Sequence, residues 1–304
     1  MRHDAWRRDA ASYPLRGELM PRHSDVDIWQ HLNNTALISM HGESIQQGLR
    51  SVFGPEVWRN SEPALACVGN ATDFLAEAYY PEPLTWGARV LGVDVKGVRI
   101  GTALFQHGQC VGLHEATVSG WADGQVVGLG PEQLAALRAA GVPGADTVTP
   151  AAVPAGTGHT PDMQHFPWQR TVGIRFGDSD ARRLASDTWL GRCAEQVRVE
   201  LLNQMYGAQR HTGGGMMVAH VALRWLRRTT PGVQWQVGCG VAHTGGRSLA
   251  VRSAMFEAER CVALCDSVMV VIDRESRRSM PITDEARALV EPYRLRAGNA
   301  TGTG

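Results

Sequence analysis

Residues 22–43 read R-H-S-D-V-D-I-W-Q-H-L-N-N-T-A-L-I-S-M-H-G-E, and the fold is decided there. Two aspartates, a histidine and two asparagines stand directly before a segment in which Leu37, His41, Ile45 and Leu49 recur at helical spacing. The spacing predicts a helix over residues 34–52, with Asn33 or Asn34 as its cap and Gly54-Pro55 beyond its end. From Arg175 the chain reads R-F-G-D-S-D-A-R-R-L-A-S-D-T-W-L-G-R-C-A-E, so that Arg22, Asp25 and Asp27 recur as Arg175, Asp178 and Asp180 at a constant offset of 153 residues. A constant offset predicts a duplicated unit. Leu190, Ala194, Val197, Leu201 and Met205 then repeat the helical spacing after Ser186 and Asp187, and Gly207 follows the last turn.

Each predicted helix is followed by runs with strand character, separated by turn residues. They fall at about 64–75, 84–95, 98–108 and 110–121, then 216–226, 233–243, 247–258 and 260–272, with Lys96-Gly97 and Gly245-Gly246 where hairpin turns belong. A helix followed by an antiparallel sheet that wraps it gives an α+β domain. Residues 141–168 are rich in proline, glycine, alanine and threonine and show no periodicity, which predicts a linker between domains at 15–140 and 169–293. The first dozen residues are expected to be loosely held, and 294–304 to form a disordered tail.

The chain has 304 residues, enough for two domains with a core each. Its formal net charge of zero gives no global field for nucleic acid or an anionic membrane. No stretch of about 18 apolar residues predicts membrane insertion, and no secretory signal is seen, so a cytoplasmic protein is expected. Cys67, Cys110, Cys193, Cys239, Cys261 and Cys265 are scattered in apolar stretches and read as reduced core residues. Lys96 is the only lysine, which argues against Schiff-base chemistry.

The order strand, D-x-D loop, long helix and four strands resembles the hot-dog fold of the acyl-CoA and acyl-carrier-protein thioesterases, of the 4-hydroxybenzoyl-CoA thioesterase kind. R-H-S-D-V-D-I-W-Q-H-L-N-N is similar to their amino-terminal signature, and V-V-I-D-R-E-S-R-R-S-M-P-I-T-D-E-A-R-A-L, from Val270, to their last strand. The resemblance covers about residues 15–140 and 169–293. It implies two tandem hot-dog domains paired as a pseudo-dimer, which would also cover exposed strand edges.

The resemblance further implies that the second aspartate, Asp27, is the catalytic carboxylate, activating water as a general base or attacking the carbonyl itself. Asp25 reads instead as a turn residue bonded to backbone amides. His31 is expected to orient substrate or share a proton with Asp27, and Asn33 and Asn34 to cap the helix, whose amino end can stabilise an oxyanion. Glu43, two turns into that helix, matches an assisting acid in relatives. In the second half Asp180 is the counterpart of Asp27 and Glu195 lies one residue short of the position matching Glu43. Leu184 replaces His31 there, and Ser186 and Asp187 replace the asparagines, so that site reads as degenerate. Arg224, Arg227 and Arg228, near a strand end, are candidates for binding substrate phosphates.

The implied function is hydrolysis of an acyl-CoA or acyl-carrier-protein thioester, without metal or organic cofactor. Two alternatives stay open: a hot-dog enoyl-thioester hydratase, whose D-x-N-P-x-H pattern the chain lacks, and an acyl-thioester-binding protein without turnover. Assembly of the fused pair into a larger homo-oligomer also stays open. Trp29 stands where plant acyl-carrier-protein thioesterases carry an asparagine.

Overall fold

A computed structural model describes residues 1–148, 161–207, 214–273 and 275–296. The first half runs β1 (Leu15–Leu19), the long helix α1 (Asn34–Phe53), the single turn α2 (Val57–Asn60), β2 (Ala64–Phe74), β3 (Leu84–Asp94), β4 (Gly97–Gln106), β5 (Gln109–Ala122), β6 (Gln125–Val126) and α3 (Pro131–Ala139). The second half runs β7 (Trp168–Gly173), α4 (Asp187–Tyr206), β8 (Gly214–Trp225), β9 (Gln234–Thr244), β10 (Ser248–Glu257), β11 (Arg260–Asp273) and α5 (Asp284–Val290). The helices and long strands fall within a few residues of the spans expected from sequence.

One sheet passes through both halves in the order β1-β3-β4-β5-β2-β8-β11-β10-β9-β7, with β6 hairpinned onto β5. The seam is the antiparallel pairing of β2 with β8, from Gly69 opposite Arg224 to Asp73 opposite His220. α1 packs on β3, β4 and β5, and α4 on β9 and β10. The two helices also meet each other, with Ser39 Oγ 3.2 Å from Thr188 Oγ1. At Gly191 an added Cβ would lie 3.2 Å from Thr35 Cγ2, so the missing side chain lets the amino-terminal turns overlap.

The two cores differ. The second half has one continuous core in which Trp189, Trp225 and Trp235 pack edge to face with Leu190, Val197 and Leu201. In the first half Leu37 and Met40 belong to one cluster and Ile45 and Leu49 to another, with His41 between them along α1. The His41 ring stacks on His114 from β5, with centroids 4.9 Å apart and planes 13° apart. Thr102 Oγ1 lies 2.8 Å from His41 Nδ1, and Thr72 Oγ1 lies 2.7 Å from His114 Nδ1. Burial holds His41 well below the usual histidine range, with His114 adding to the effect, and pushes His114 down to about 3.

Three expectations about loose segments need correction. The first dozen residues are packed: Tyr13 is buried and donates to Arg7 O at 2.7 Å, Arg7 pairs with Glu115 at 2.8 Å, and Arg2 pairs with Asp73 at 3.1 Å. Residues 141–148 and 161–168 are likewise ordered, because Val142, Ala145 and Val148 join the first core while Phe166 packs on Phe256. Glycine makes both aromatic anchors fit, since a Cβ at Gly87 would come 2.5 Å from the Tyr13 ring and one at Gly238 2.5 Å from the Phe166 ring. Leu295 N–H donates to Val241 O at 2.9 Å, so residues 294–296 are held rather than loose. The remainder of the expected linker, 149–160, and of the tail, 297–304, lies outside the described residues.

All six cysteines are free. Burial pushes Cys261 and Cys265 each up to about 11, which keeps them thiols at neutral pH. No described helix is long and apolar enough to cross a membrane.

Candidate active site

The loop between β1 and α1 is folded by its own side chains. Asp25 is buried and accepts from Arg22 N at 2.8 Å and Arg22 Nη2 at 3.1 Å, while Asn33 N donates to Asp25 O at 2.8 Å. Asp27 N then bonds His31 O at 3.0 Å, and Gln30 takes a left-handed φ of 67° to close the turn. The second half copies this loop bond for bond: Arg175 N to Asp178 at 2.9 Å, Ser186 N to Asp178 O at 3.0 Å, Asp180 N to Leu184 O at 2.8 Å, and Arg183 at φ 61°. Asp25 is therefore the organiser of the loop, the part read for it from sequence.

Asp27 divides its carboxylate between two tasks. Oδ1 accepts from Trp29 N at 2.8 Å, and Oδ2 lies 3.5 Å from His31 Nδ1. On the other side of the imidazole, Nε2 lies 3.8 Å from Glu77 Oε1. Glu77 was not singled out from sequence. It arrives because β2 ends in an irregular pairing, where Leu75 N and Ala76 N both bond Val111 O, and because Leu32 N holds Ala78 O at 2.7 Å. Glu77 Oε2 accepts from Tyr79 Oη–H at 2.6 Å, and its carboxylate pairs with Arg277 from the second half. Asp27, His31 and Glu77 are all partly buried.

At the amino end of α1, Asn33 is the cap and accepts from Thr35 N at 2.7 Å, whereas Asn34 is the first helical residue. Asn33 Nδ2 donates to Glu195 Oε1 at 3.0 Å, and Thr35 Oγ1 donates to Glu195 Oε2 at 3.1 Å. Glu195 was expected beside Asp180, but the overlap of the helices brings it from α4 onto the first turn of α1, where the helix dipole favours an anion. By the 153-residue offset its counterpart on α1 is Gly42, so no equivalent acid faces α4. Glu43 is not a buried acid: it is exposed on α1, near Arg22.

In the second half the position matching Glu77 is Arg228, because Ala185 N bonds Thr229 O as Leu32 N bonds Ala78 O. Arg228 is 3% exposed, so it is not at a pocket mouth and cannot meet a phosphate. Its Nη2 donates to Asp187 Oδ1 at 2.7 Å and Cys67 O at 3.1 Å, and its Nη1 to Ala185 O at 3.2 Å and Asp180 Oδ2 at 3.5 Å. The guanidinium lies over the rings of Trp121 and Trp225, at 5.4 and 4.9 Å. Asp180 also caps its own turn, accepting from Arg182 N at 2.9 Å. Arg224 is exposed on β8, and Arg227 reaches Asp123 O at 3.4 Å. Neither joins the Asp27 cluster. No group of side chains suited to hold a metal occurs among the described residues.

An imidazole between two carboxylates can move a proton, and the amino end of a helix beside it favours negative charge on an oxygen. Residues 174–290 match the family model described as the thioesterase-like superfamily. The match falls on the half that has Leu184 at the position offset from His31. No curated protein matches the sequence significantly. Among solved structures, the chain is similar to an acyl-ACP thioesterase from Bacteroides thetaiotaomicron, at TM-score 0.58 and 11% identity, covering 84% of this chain and 97% of that one. It is likewise similar to a 12:0-ACP thioesterase from Umbellularia californica, at TM-score 0.61 and 10% identity, covering 88% and 94%. At such identities the likeness is one of fold, and that fold is the hot-dog fold of thioesterases.

Proposed function

We propose that this chain, a hot-dog protein whose residues 174–290 carry the thioesterase-like pattern, hydrolyses acyl thioesters of coenzyme A or acyl carrier protein to free acid and thiol. Its two tandem hot-dog domains, 15–140 and 169–293, form a fused dimer joined by 141–168, a reading supported by the mirrored strand order on either side of β2 and β8. The observation that carries the function is His31 lying between Asp27, at 3.5 Å, and Glu77, at 3.8 Å, next to the amino end of α1.

Asp27, with one oxygen engaged by Trp29 N–H, turns the other toward His31, and this pair removes the proton of the attacking water. The first-turn amides of α1 receive the oxyanion, and Glu195 keeps that turn set through Asn33 and Thr35. The second site does no chemistry, because Arg228 neutralises Asp180 and Asp187 and Leu184 replaces the histidine. The protein is proposed to act in the cytoplasm.

Thiol release from a series of acyl-CoA thioesters tests this with Asp27→Asn, Glu77→Gln and Asp180→Asn beside the parent. The first two are expected to lose about a hundredfold or more, and Asp180→Asn to keep the parent rate. An Asp27→Asn protein as fast as the parent overturns the assignment.

A further inference from the structure

The turn that follows the last long strand of each half lies over the other half's site. After β5, Gly124 O accepts from Arg228 N at 2.9 Å and Asp123 O from Arg227 Nη2 at 3.4 Å. After β11, the corresponding turn sends a side chain instead: Arg277 pairs with Glu77. The cation meets Oε1, the oxygen that faces His31, while Tyr79 Oη–H holds Oε2.

That turn is built to present Arg277. Ser276 N and Oγ both donate to Asp273 Oδ1 at 2.7 Å, Arg277 N donates to Asp273 O at 2.9 Å, and Asp273 N to Arg278 O at 2.9 Å. Arg277 itself has φ 59°, a conformation unfavourable for a side chain of its size and kept where neighbours enforce it. The side chain is about half exposed (51%), so its position depends on the carboxylate it meets.

We infer that Arg277 is a positioning residue supplied by the second half, which holds the Glu77 carboxylate aimed at His31. The inference rests on the hydrolase reading and extends it. The groups facing Glu77 are His31, Tyr79 and Arg277, with Asp27 beyond the imidazole. Without the guanidinium, Oε1 loses its ion pair and the carboxylate can swing away from the ring. A fixed fork geometry is what arginine supplies and a shorter polar side chain does not. The half that has lost its own site thus provides both Glu195 and Arg277 to the other.

The test uses the full chain with Arg277→Gln, Arg277→Lys and Glu77→Gln, read by steady-state thioester cleavage and by the ring nitrogen resonances of His31. Arg277→Gln is expected to lower kcat by about ten- to a hundredfold with KM less affected, Arg277→Lys to recover part of the loss, and the His31 resonances to move in Arg277→Gln in the direction they move in Glu77→Gln. Parent-like kcat together with unmoved His31 resonances in Arg277→Gln overturns the inference. If the parent cleaves no thioester but the resonances move as described, the positioning role stands and the hydrolase reading falls.

Discussion

Mild acid should weaken this fold through the histidine stack beneath α1. His114 is depressed to about 3 by burial, whereas an unfolded histidine titrates near about 6.5. The unfolded chain therefore binds a proton that the folded chain refuses, and stability present above the unfolded value is lost as pH falls from there toward the folded one. At pH 5 the gap is about 1.5 units, which at about 1.4 kcal/mol per unit gives roughly 2 kcal/mol from His114 alone. His41, well below its usual range for the same reason, adds in the same sense. Urea denaturation midpoints measured between pH 7 and 5 would be compared for the parent and His114→Gln. Carboxylates remain mostly ionised across that window, and the comparison cancels contributions from histidines that do not touch His114. The variant should show a slope shallower by about one proton. Equal slopes in the two proteins would mean that His114 takes up its proton in the fold as readily as in the unfolded chain, and the argument from burial would be wrong.

Arg228→Met should destabilise by roughly 3 kcal/mol, near the low end for breaking a buried pair because Asp180 and Asp187 are partly exposed, while the first-half site keeps its activity; an unchanged melting temperature would refute the clamp. Gly112→Ala places a methyl 3.1 Å from His41 Nε2 and is expected to cost about 1–3 kcal/mol, checked by thermal melting. Glu195→Ala unties Asn33 and Thr35, and should lower kcat about tenfold with a smaller change in KM. Steady-state kinetics that show only a KM effect would place Glu195 outside the machinery of the first turn.

The elements were legible because each carries its own period: the α1 face repeats at helical spacing, and the long strands are bounded by Lys96-Gly97 and Gly245-Gly246. The loop was legible because Arg22, Asp25 and Asp27 recur with Arg175, Asp178 and Asp180. Glu77 was not, since it belongs to an irregular stretch after β2 and reaches His31 only through the Leu32–Ala78 bond, which no local pattern announces. Glu195 was visible as an acid but assigned to the wrong site, because α4 meets the first turn of α1 through contacts such as Gly191 against Thr35, two residues far apart in the chain. Arg228 was read as a ligand for substrate phosphates at a pocket mouth, because arginine is mostly exposed. What overrides that rule is a pair of carboxylates and two indoles that surround it.

Arg228 and Glu77 answer to the same place in the two halves and carry opposite charges. In an assembly of two identical subunits, rotational symmetry would write any such substitution into both positions at once. With both halves in a single polypeptide that constraint is absent, so each position can differ from its counterpart. Here one carries a buried cation that ties two carboxylates down, and the other a carboxylate that faces an imidazole.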